Sequence, residues 1–391
     1  MNTFLSCEQE VLLENYRAFV KESILSESFQ LDEAYKSSDK VKEVIGLLGG
    51  KGYLGINISK EYGGQGGSFL DLILFSQALG SAESGLALSL ASHYAVCELI
   101  SRYGSDTQKS RYLPLLARGE VLGAMALSEE HAGSDFKAAT SRLVKDGDNV
   151  KLAGKKVWVV NGELAQLAVV SARLDNELVL ALVDLEPVPS IKVSSNREKL
   201  GLRSARTNDL EFVAHQMTSS AILGGQKVCS NGDGDQSIED KTAEMIGFAA
   251  DVSKTIIAAS AIGLLDAATG LSVDRANSRE QFDASIGKLQ AIQWKLADLS
   301  ADSAGARLLV LRAAWSKDHA PEEFARNAAM AKFYASKTAR FHSSEAVQIC
   351  GSMGISAEEP VEKLYRDAKV MEIVEGTSEI QKNIIAQEVG A

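Results

Sequence analysis

Proline and cysteine are both scarce in this chain, at 5 and 4 residues among 391. So few prolines leave little of the chain as extended linker. Cys7, Cys97, Cys229 and Cys350 stand far apart without a C-x-x-C pair. That excludes a disulfide framework or a zinc site, and four reduced, structural thiols with no bound metal are expected. No apolar run approaches the ~18 residues of a membrane-crossing helix, so no span is expected. The start, Met1-Asn2-Thr3-Phe4, lacks the basic and apolar segments of a secretory signal, which makes the cytoplasm the expected location. Positive charge is in deficit: the formal net charge is −11. This disfavours nucleic acid as a partner, and any phosphate-bearing ligand must be met by local cations.

The common nucleotide signatures are missing too. No strand–GxGxxG–helix unit appears, which argues against a Rossmann nicotinamide enzyme. Gly63-Gly64-Gln65-Gly66-Gly67 lacks the Lys-Ser/Thr ending of a phosphate loop and reads as a mobile turn. Asn231-Gly232-Asp233-Gly234-Asp235 resembles a calcium loop but has no Glu at the required spacing, so it reads as a surface loop.

What is present falls into three textures, a length suited to two or three packed units. Residues 1–120 read as helical, with capping boxes at Ser6-Cys7-Glu8-Gln9 and Ser105-Asp106-Thr107-Gln108 and a further helix over Leu70 to Leu79. Residues 121–230 carry short β-branched and aliphatic runs: Lys156 to Val160, Leu167 to Ala172 and Leu178 to Asp184. Gly147-Asp148, Asn161-Gly162 and Asp175-Asn176 punctuate them, which predicts an antiparallel β-domain. Residues 231–391 return to helix. Ile292, Leu296, Leu299, Ser303, Ala306 and Val310 form one stripe, and Ala-rich stretches at 255–270 and 325–350 suit a bundle with closely approaching axes.

Six blocks in order then converge on one family. Leu127-Ser128-Glu129-Glu130-His131-Ala132-Gly133-Ser134-Asp135 resembles the first acyl-CoA dehydrogenase signature. Gly154 to Asn161 resembles the G-x-K-x-W-I-T-N block, and Leu200-Gly201-Leu202-Arg203 the L-G-x-R segment. Arg279-Glu280-Gln281-Phe282 resembles R-x-Q-F, and Gln348 to Gly354 resembles Q-x-x-G-G-x-G. Arg366-Asp367-Ala368-Lys369 and Glu375-Gly376-Thr377-Ser378-Glu379-Ile380-Gln381 resemble the second signature. The resemblance covers nearly the whole chain. It implies a mainly α fold with a central antiparallel β-domain: a helical domain, a β-barrel-like domain and a C-terminal four-helix bundle. It also implies FAD, an acyl-CoA substrate, an electron-transfer flavoprotein as acceptor, and a homotetramer built as a dimer of dimers.

The chemistry implied is removal of an α-proton and a β-hydride from an acyl thioester. Glu375 is the expected base, since a carboxylate desolvated between substrate and cofactor has a raised pKa. Gly376 supplies freedom for a tight turn, after which Thr377 or Ser378 begins a helix. No side chain here accepts a hydride, so a cofactor is obligatory. Some relatives place the base on an earlier helix, where this chain has Ser253, which is no comparable base. By resemblance, Leu127, Ser128, Ser134, Trp158 and Val160 contact the flavin or its diphosphate. Arg279 and Phe282 reach the FAD of a neighbouring subunit, and Gln290, Gln348, Gly351 and Ser352 its adenosine side. Thr377 and Glu379 complete the cofactor shell. Ser134, Asp251, Lys254, Glu375 and Gly376 face the substrate, while His93 is read as structural.

The chain also departs from the pattern. Val160 replaces a hydroxyl residue expected at flavin N5, Glu130-His131 replaces Pro-x, Asp283 and Ser352 replace glycines, and Lys254 replaces an arginine. These departures leave three alternatives open: an oxygen-using relative (oxidase or monooxygenase), a dehydrogenase of a carrier-protein-bound thioester, or a flavin-retaining protein without turnover.

Overall fold

The computed structural model describes residues 5–224 and 237–390; Cys229 and the Asn231–Asp235 segment lie outside them. Six helices open the chain: α1 (Cys7–Ser23), α2 (Ser28–Asp32), α3 (Asp39–Gly50), α4 (Phe69–Gly80), α5 (Ser84–Tyr103) and α6 (Asp106–Ala117). Both expected capping boxes are formed. Ser6 and Ser105 accept from the amides of Gln9 and Gln108, whose side chains accept in return from the cap amides. The glycine cluster at 63–67 is not a loose turn. The amides of Gln65, Gly66 and Gly67 donate to the carbonyls of Gly55, Ile58 and Ile56, so they offer nothing to a phosphate.

The β-domain follows: β1 (Gly123–Ala126), β2 (Arg142–Asp146), β3 (Asn149–Val160), β4 (Leu167–Leu174), β5 (Glu177–Asp184), β6 (Ile191–Val193) and β7 (Thr207–Thr218). The pairings β2–β3, β3–β7, β4–β5 and β6–β7 are antiparallel, as the turn signals predict. The pairings β1–β4 and β2–β4 are parallel, which the local pattern does not reveal. β1 joins the sheet from the helical region directly after α6, so its direction is not set by a hairpin. The register of β3 against β7 slips twice, between Leu152 and Gly154 and between Lys156 and Val159.

The last region holds α7 (Ile238–Ser278), a small hairpin of β8 (Glu280–Gln281) and β9 (Ala284–Ser285), then α8 (Gln290–His319), α9 (Pro321–Cys350), α10 (Pro360–Met371) and α11 (Ser378–Glu388). The predicted stripe of α8 is inward from Leu299 onward: Leu299, Ser303, Ala306 and Val310 are buried, while Ile292 and Leu296 are half-buried. α7 corrects one expectation. It is long and apolar enough, by length and composition, to cross a membrane. Protein surrounds it instead: α4 and α5 pack on one part of its surface, α8 and α9 on another. Residues 251–265 are buried without interruption, the signature of a helix enclosed on every face.

α7 and α4 approach closely. A Cβ on Gly263 would stand 2.0 Å from the Gln77 carbonyl oxygen, and one on Gly80 would stand 2.3 Å from that of Ser260. Glycine at these positions is what lets the two backbones touch.

Candidate active site

Glu375 sits between the end of α10 and the start of α11, in a left-handed conformation (φ 56°), followed by Gly376 at φ 89°. Left-handed backbone is uncommon for a residue with a side chain and marks a turn held by its surroundings. Here the surroundings are explicit. Gln381 Nε2 donates to the carbonyls of Glu375 (3.3 Å) and Gly376 (3.0 Å). Lys332 Nζ, from α9, donates to those of Gly376 (2.6 Å) and Glu372 (3.2 Å). Thr377 caps α11 by accepting from the Ile380 amide, as expected. The φ of 89° at Gly376 is what favours glycine there, and a Cβ would also displace the Gln381 amide that holds the turn, at 2.6 Å.

The turn delivers the Glu375 carboxylate to α7. Ser253 Oγ donates to Glu375 Oε2 at 2.5 Å. Glu375 Oε1 and the Glu375 amide have no hydrogen-bond partner among the described residues. Burial of the carboxylate raises its pKa; the Ser253 hydroxyl and the ammonium groups of Lys332 and Lys254 act in the opposite sense. Beside them, Lys254 Nζ pairs with Asp251 at 2.7 Å, one helical turn away on α7 and almost fully enclosed. Burial pushes the Asp251 carboxyl up, against the pull of Lys254. Asp251, Lys254, Glu375, Gly376 and Thr377 thus form one cluster. Ser253 is the member that sequence reasoning missed. It stood out only as unable to be a base, not as a donor to one.

Removing that donor has a predictable sign. Ser253→Ala should raise the Glu375 pKa further, moving the acidic limb of any rate that needs the carboxylate upward by roughly one pH unit. A pH profile of anaerobic flavin reduction measures this directly, and an unmoved limb would remove Ser253 from the site.

A second group forms on the β-domain. The Val157 amide donates to the Ser128 carbonyl at 2.9 Å, bringing the first two signature blocks together. Lys156, wholly buried, donates to the Leu127 carbonyl (3.2 Å), Glu129 (2.7 Å) and Ser171 (3.0 Å). Glu129 also accepts from Thr140 and Ser141. Burial alone would raise the Glu129 carboxyl, but the Lys156 ammonium and these donors outweigh it and bring it down to about 2. The Glu129–Lys156 pair therefore anchors the Leu127–Ser128 segment. Trp158 lies at the second register slip of β3, at φ 58° and 53% exposed, with the Arg197 guanidinium 4.5 Å from its ring centroid. The bulge turns this large ring outward while its neighbours Val157 and Val159 stay buried. Val160 ends β3 half-buried, and Ser134 lies exposed on the loop after the first signature. Asn161 fastens this end of β3, donating to the carbonyls of Ser89 (2.8 Å) and Gly123 (3.1 Å).

The third group lies open on the surface. Arg279, Phe282, Gln290, Gln348, Gly351 and Ser352 are all exposed, Phe282 at 90%. None is bonded to the Glu375 cluster. Arg279 forms no ion pair among the described residues, although Asp274 and Glu280 are near in sequence. Glu379 is exposed in the first turn of α11. His93 is structural: its Nε2 bonds the Leu54 carbonyl, Nδ1 accepts from the Gly123 amide, and burial pulls its pKa down to about 4.

These features suit a flavin nucleotide. Trp158 offers an exposed aromatic plane, and the unpaired, exposed Arg279 with the exposed phenyl ring of Phe282 suits phosphate and base. Among the described residues no cluster of His, Cys, Asp and Glu is built to hold a metal.

Family models match along the chain: "Acyl-CoA dehydrogenase, N-terminal domain" over residues 6–120, the middle domain over 124–214 and the C-terminal domain over 246–390. The short-chain specific acyl-CoA dehydrogenase of Clostridium acetobutylicum is 31% identical over 395 residues, covering 100% of both chains. Butyryl-CoA dehydrogenase from Megasphaera elsdenii superposes with a TM-score of 0.90 at 28% identity over 100% of both chains. A structure described as the electron transferring flavoprotein of Acidaminococcus fermentans, in work on flavin-based electron bifurcation, matches with a TM-score of 0.92 at 28% identity, again over 100% of both chains.

Proposed function

The chain belongs to the acyl-CoA dehydrogenase family and is an FAD-dependent acyl-CoA dehydrogenase; from that premise we propose that Glu375 is the base, that a short acyl-CoA is the substrate and that an electron-transfer flavoprotein takes the electrons. The observation that carries this reading is the Glu375 carboxylate, desolvated yet retaining one oxygen without a protein partner. Ser253 engages Oε2 and orients the group, so Oε1 is free to take the α-proton of the thioester. The Glu375 amide, also without an acceptor among the described residues, donates to the thioester carbonyl in this reading and stabilises the charge that develops there. Bound FAD would supply the hydride acceptor that makes the loss of the α-proton and the β-hydrogen a redox reaction. Leu127, Ser128 and Trp158 hold the flavin side, anchored by Glu129 and Lys156. Asp251 and Lys254 line the wall nearest the thioester.

Short acyl chains are favoured because the Clostridium and Megasphaera relatives are described as short-chain specific and butyryl-CoA enzymes. The likeness to the Acidaminococcus electron transferring flavoprotein structure supports that acceptor. The exposed Arg279, Phe282, Gln290, Gln348, Gly351 and Ser352 supply FAD contacts across a subunit interface in a dimer of dimers, which is why they have no work within one protomer.

Anaerobic mixing of the FAD-loaded protein with short, branched, cyclic and long acyl-CoAs tests this reading. Fastest bleaching is expected with short, straight chains, followed by slow reoxidation in air and fast reoxidation by an electron-transfer flavoprotein. Rapid reoxidation by air would point to an oxygen-using enzyme instead, and a yellow protein that no thioester bleaches would point to a binding protein.

A further inference from the structure

Lys332 is a charged side chain in an alanine-rich helix, in the run Ala328-Ala329-Met330-Ala331-Lys332. It has no solvent exposure. Burying an ammonium is costly and is normally offset by a paired carboxylate. Lys332 forms no direct ion pair among the described residues; its hydrogen bonds go to two backbone carbonyls, Glu372 and Gly376. Those carbonyls bracket Glu375. They are also oxygens of the segment between α10 and α11 that no helix bond satisfies, apart from the Ser378 amide on Glu372 and Gln381 on Gly376.

We propose that Lys332 is a positioning residue for the base: its ammonium clamps the carbonyls on either side of Glu375, fixing the left-handed turn, and its positive charge helps keep the Glu375 carboxylate ionised in a desolvated site. The inference rests on Glu375 being the base. A neutral donor could satisfy one carbonyl at far lower desolvation cost, so the retained charge needs a purpose, and Glu375, a carboxylate with no ion pair among the described residues, lies between the two carbonyls that Lys332 holds. The charged groups acting on Glu375 are Lys332 from α9 and Lys254 from α7, the latter paired with Asp251; Lys332 in turn lies near Glu372 at the end of α10 and Glu379 at the start of α11. Asp251 is paired with Lys254, and Glu372 with Arg340 and Lys369. Lys332 is therefore the cation whose charge is least committed elsewhere. Burial draws its own pKa down to about 8, opposed chiefly by Glu375, so it is charged at neutral pH.

The test is stopped-flow flavin reduction of the FAD-loaded Lys332→Met and Lys332→Gln proteins across about pH 5.5 to 9. Losing the cation raises the Glu375 pKa. The acidic limb should move to higher pH, with the reduction rate near pH 6 falling about tenfold for each pH unit the limb moves. The substrate dissociation constant should stay within about twofold, because ground-state binding does not use Lys332. Lys332→Gln keeps a hydrogen-bond donor, so it supplies the answer if Lys332→Met does not fold. A folded, flavin-loaded variant with the parent's pH limb would overturn the proposal and leave Lys332 as a carbonyl-satisfying group only. Glu375→Gln, run in parallel, separates the two readings. If it is inactive while the Lys332 variants keep the parent profile, the clamp fails and the base stands. If it reduces normally, the base assignment itself fails.

Discussion

Glu375→Gln is expected to retain FAD and bind acyl-CoA while losing flavin reduction by about three orders of magnitude. Glutamine preserves the shape of the side chain and still offers an oxygen to Ser253, so the turn and its cap survive. What it lacks is the capacity to take a proton. The loss should therefore appear in the reduction rate and not in substrate affinity, the pattern of an interaction made only in the transition state. Single-turnover anaerobic reduction measures it, with flavin content and melting temperature as controls for folding. Reduction within about tenfold of the parent would exclude Glu375 as the base.

Lys363→Met is expected to cost about 3–5 kcal/mol of stability. Lys363 Nζ lies 2.6 Å from Asp367 and 3.1 Å from Glu83, and all three groups are buried. Burial alone would draw the Lys363 pKa down, but its two carboxylates hold it above the usual lysine range. Asp367 also accepts from the Leu202 amide at 2.6 Å, and Glu83 from Ser204 at 2.9 Å. The triad thus joins α5's N-terminal cap, the loop before β7 and α10. Without the ammonium, two buried carboxylates face each other uncompensated. Burial already raises the Glu83 pKa in the intact protein. A group with a raised folded pKa contributes stability below its unfolded pKa and loses it as pH rises. The variant's deficit should accordingly be largest at neutral pH and shrink in acid. Urea unfolding at about pH 7 and pH 5 checks both the size and the trend. A variant as stable as the parent at neutral pH would show that the regions are held together by other means.

Much of this arrangement was legible in the amino-acid order because it is local. Ser6 and Ser105 announce their helices within four residues, and Glu375-Gly376-Thr377 announces a turn and a cap within three. The six resemblance blocks identify the family without any coordinates. What was not legible is what joins residues far apart along the chain. Ser253 and Glu375 are separated by 122 positions, and nothing near Ser253 signals that its hydroxyl points to a carboxylate. Lys332 had a faint signal, a cation on an apolar helix face, but its partners are carbonyls, which carry no residue identity. The parallel pairing of β1 with β4 is hidden for the same reason, since strand direction is decided by where α6 delivers the chain. The membrane-length apolar character of α7 is masked in a linear scan by Asp251, Ser253, Lys254 and Thr255, and shows itself once the helix is counted as one element.

The glycine seam between α4 and α7 bears on how such an enzyme accommodates different substrates. Ser253 lies ten residues from Gly263 on one unbroken helix, about 15 Å along its axis. With α7 pressed backbone-to-backbone against α4, the wall that carries Ser253, Asp251 and Lys254 behaves as a fixed jaw. The opposing jaw is a single strained turn. That turn is itself held by Lys332 and Gln381, so a change in acyl preference is expected to come from exchanged side chains along the wall and not from a shift of either backbone.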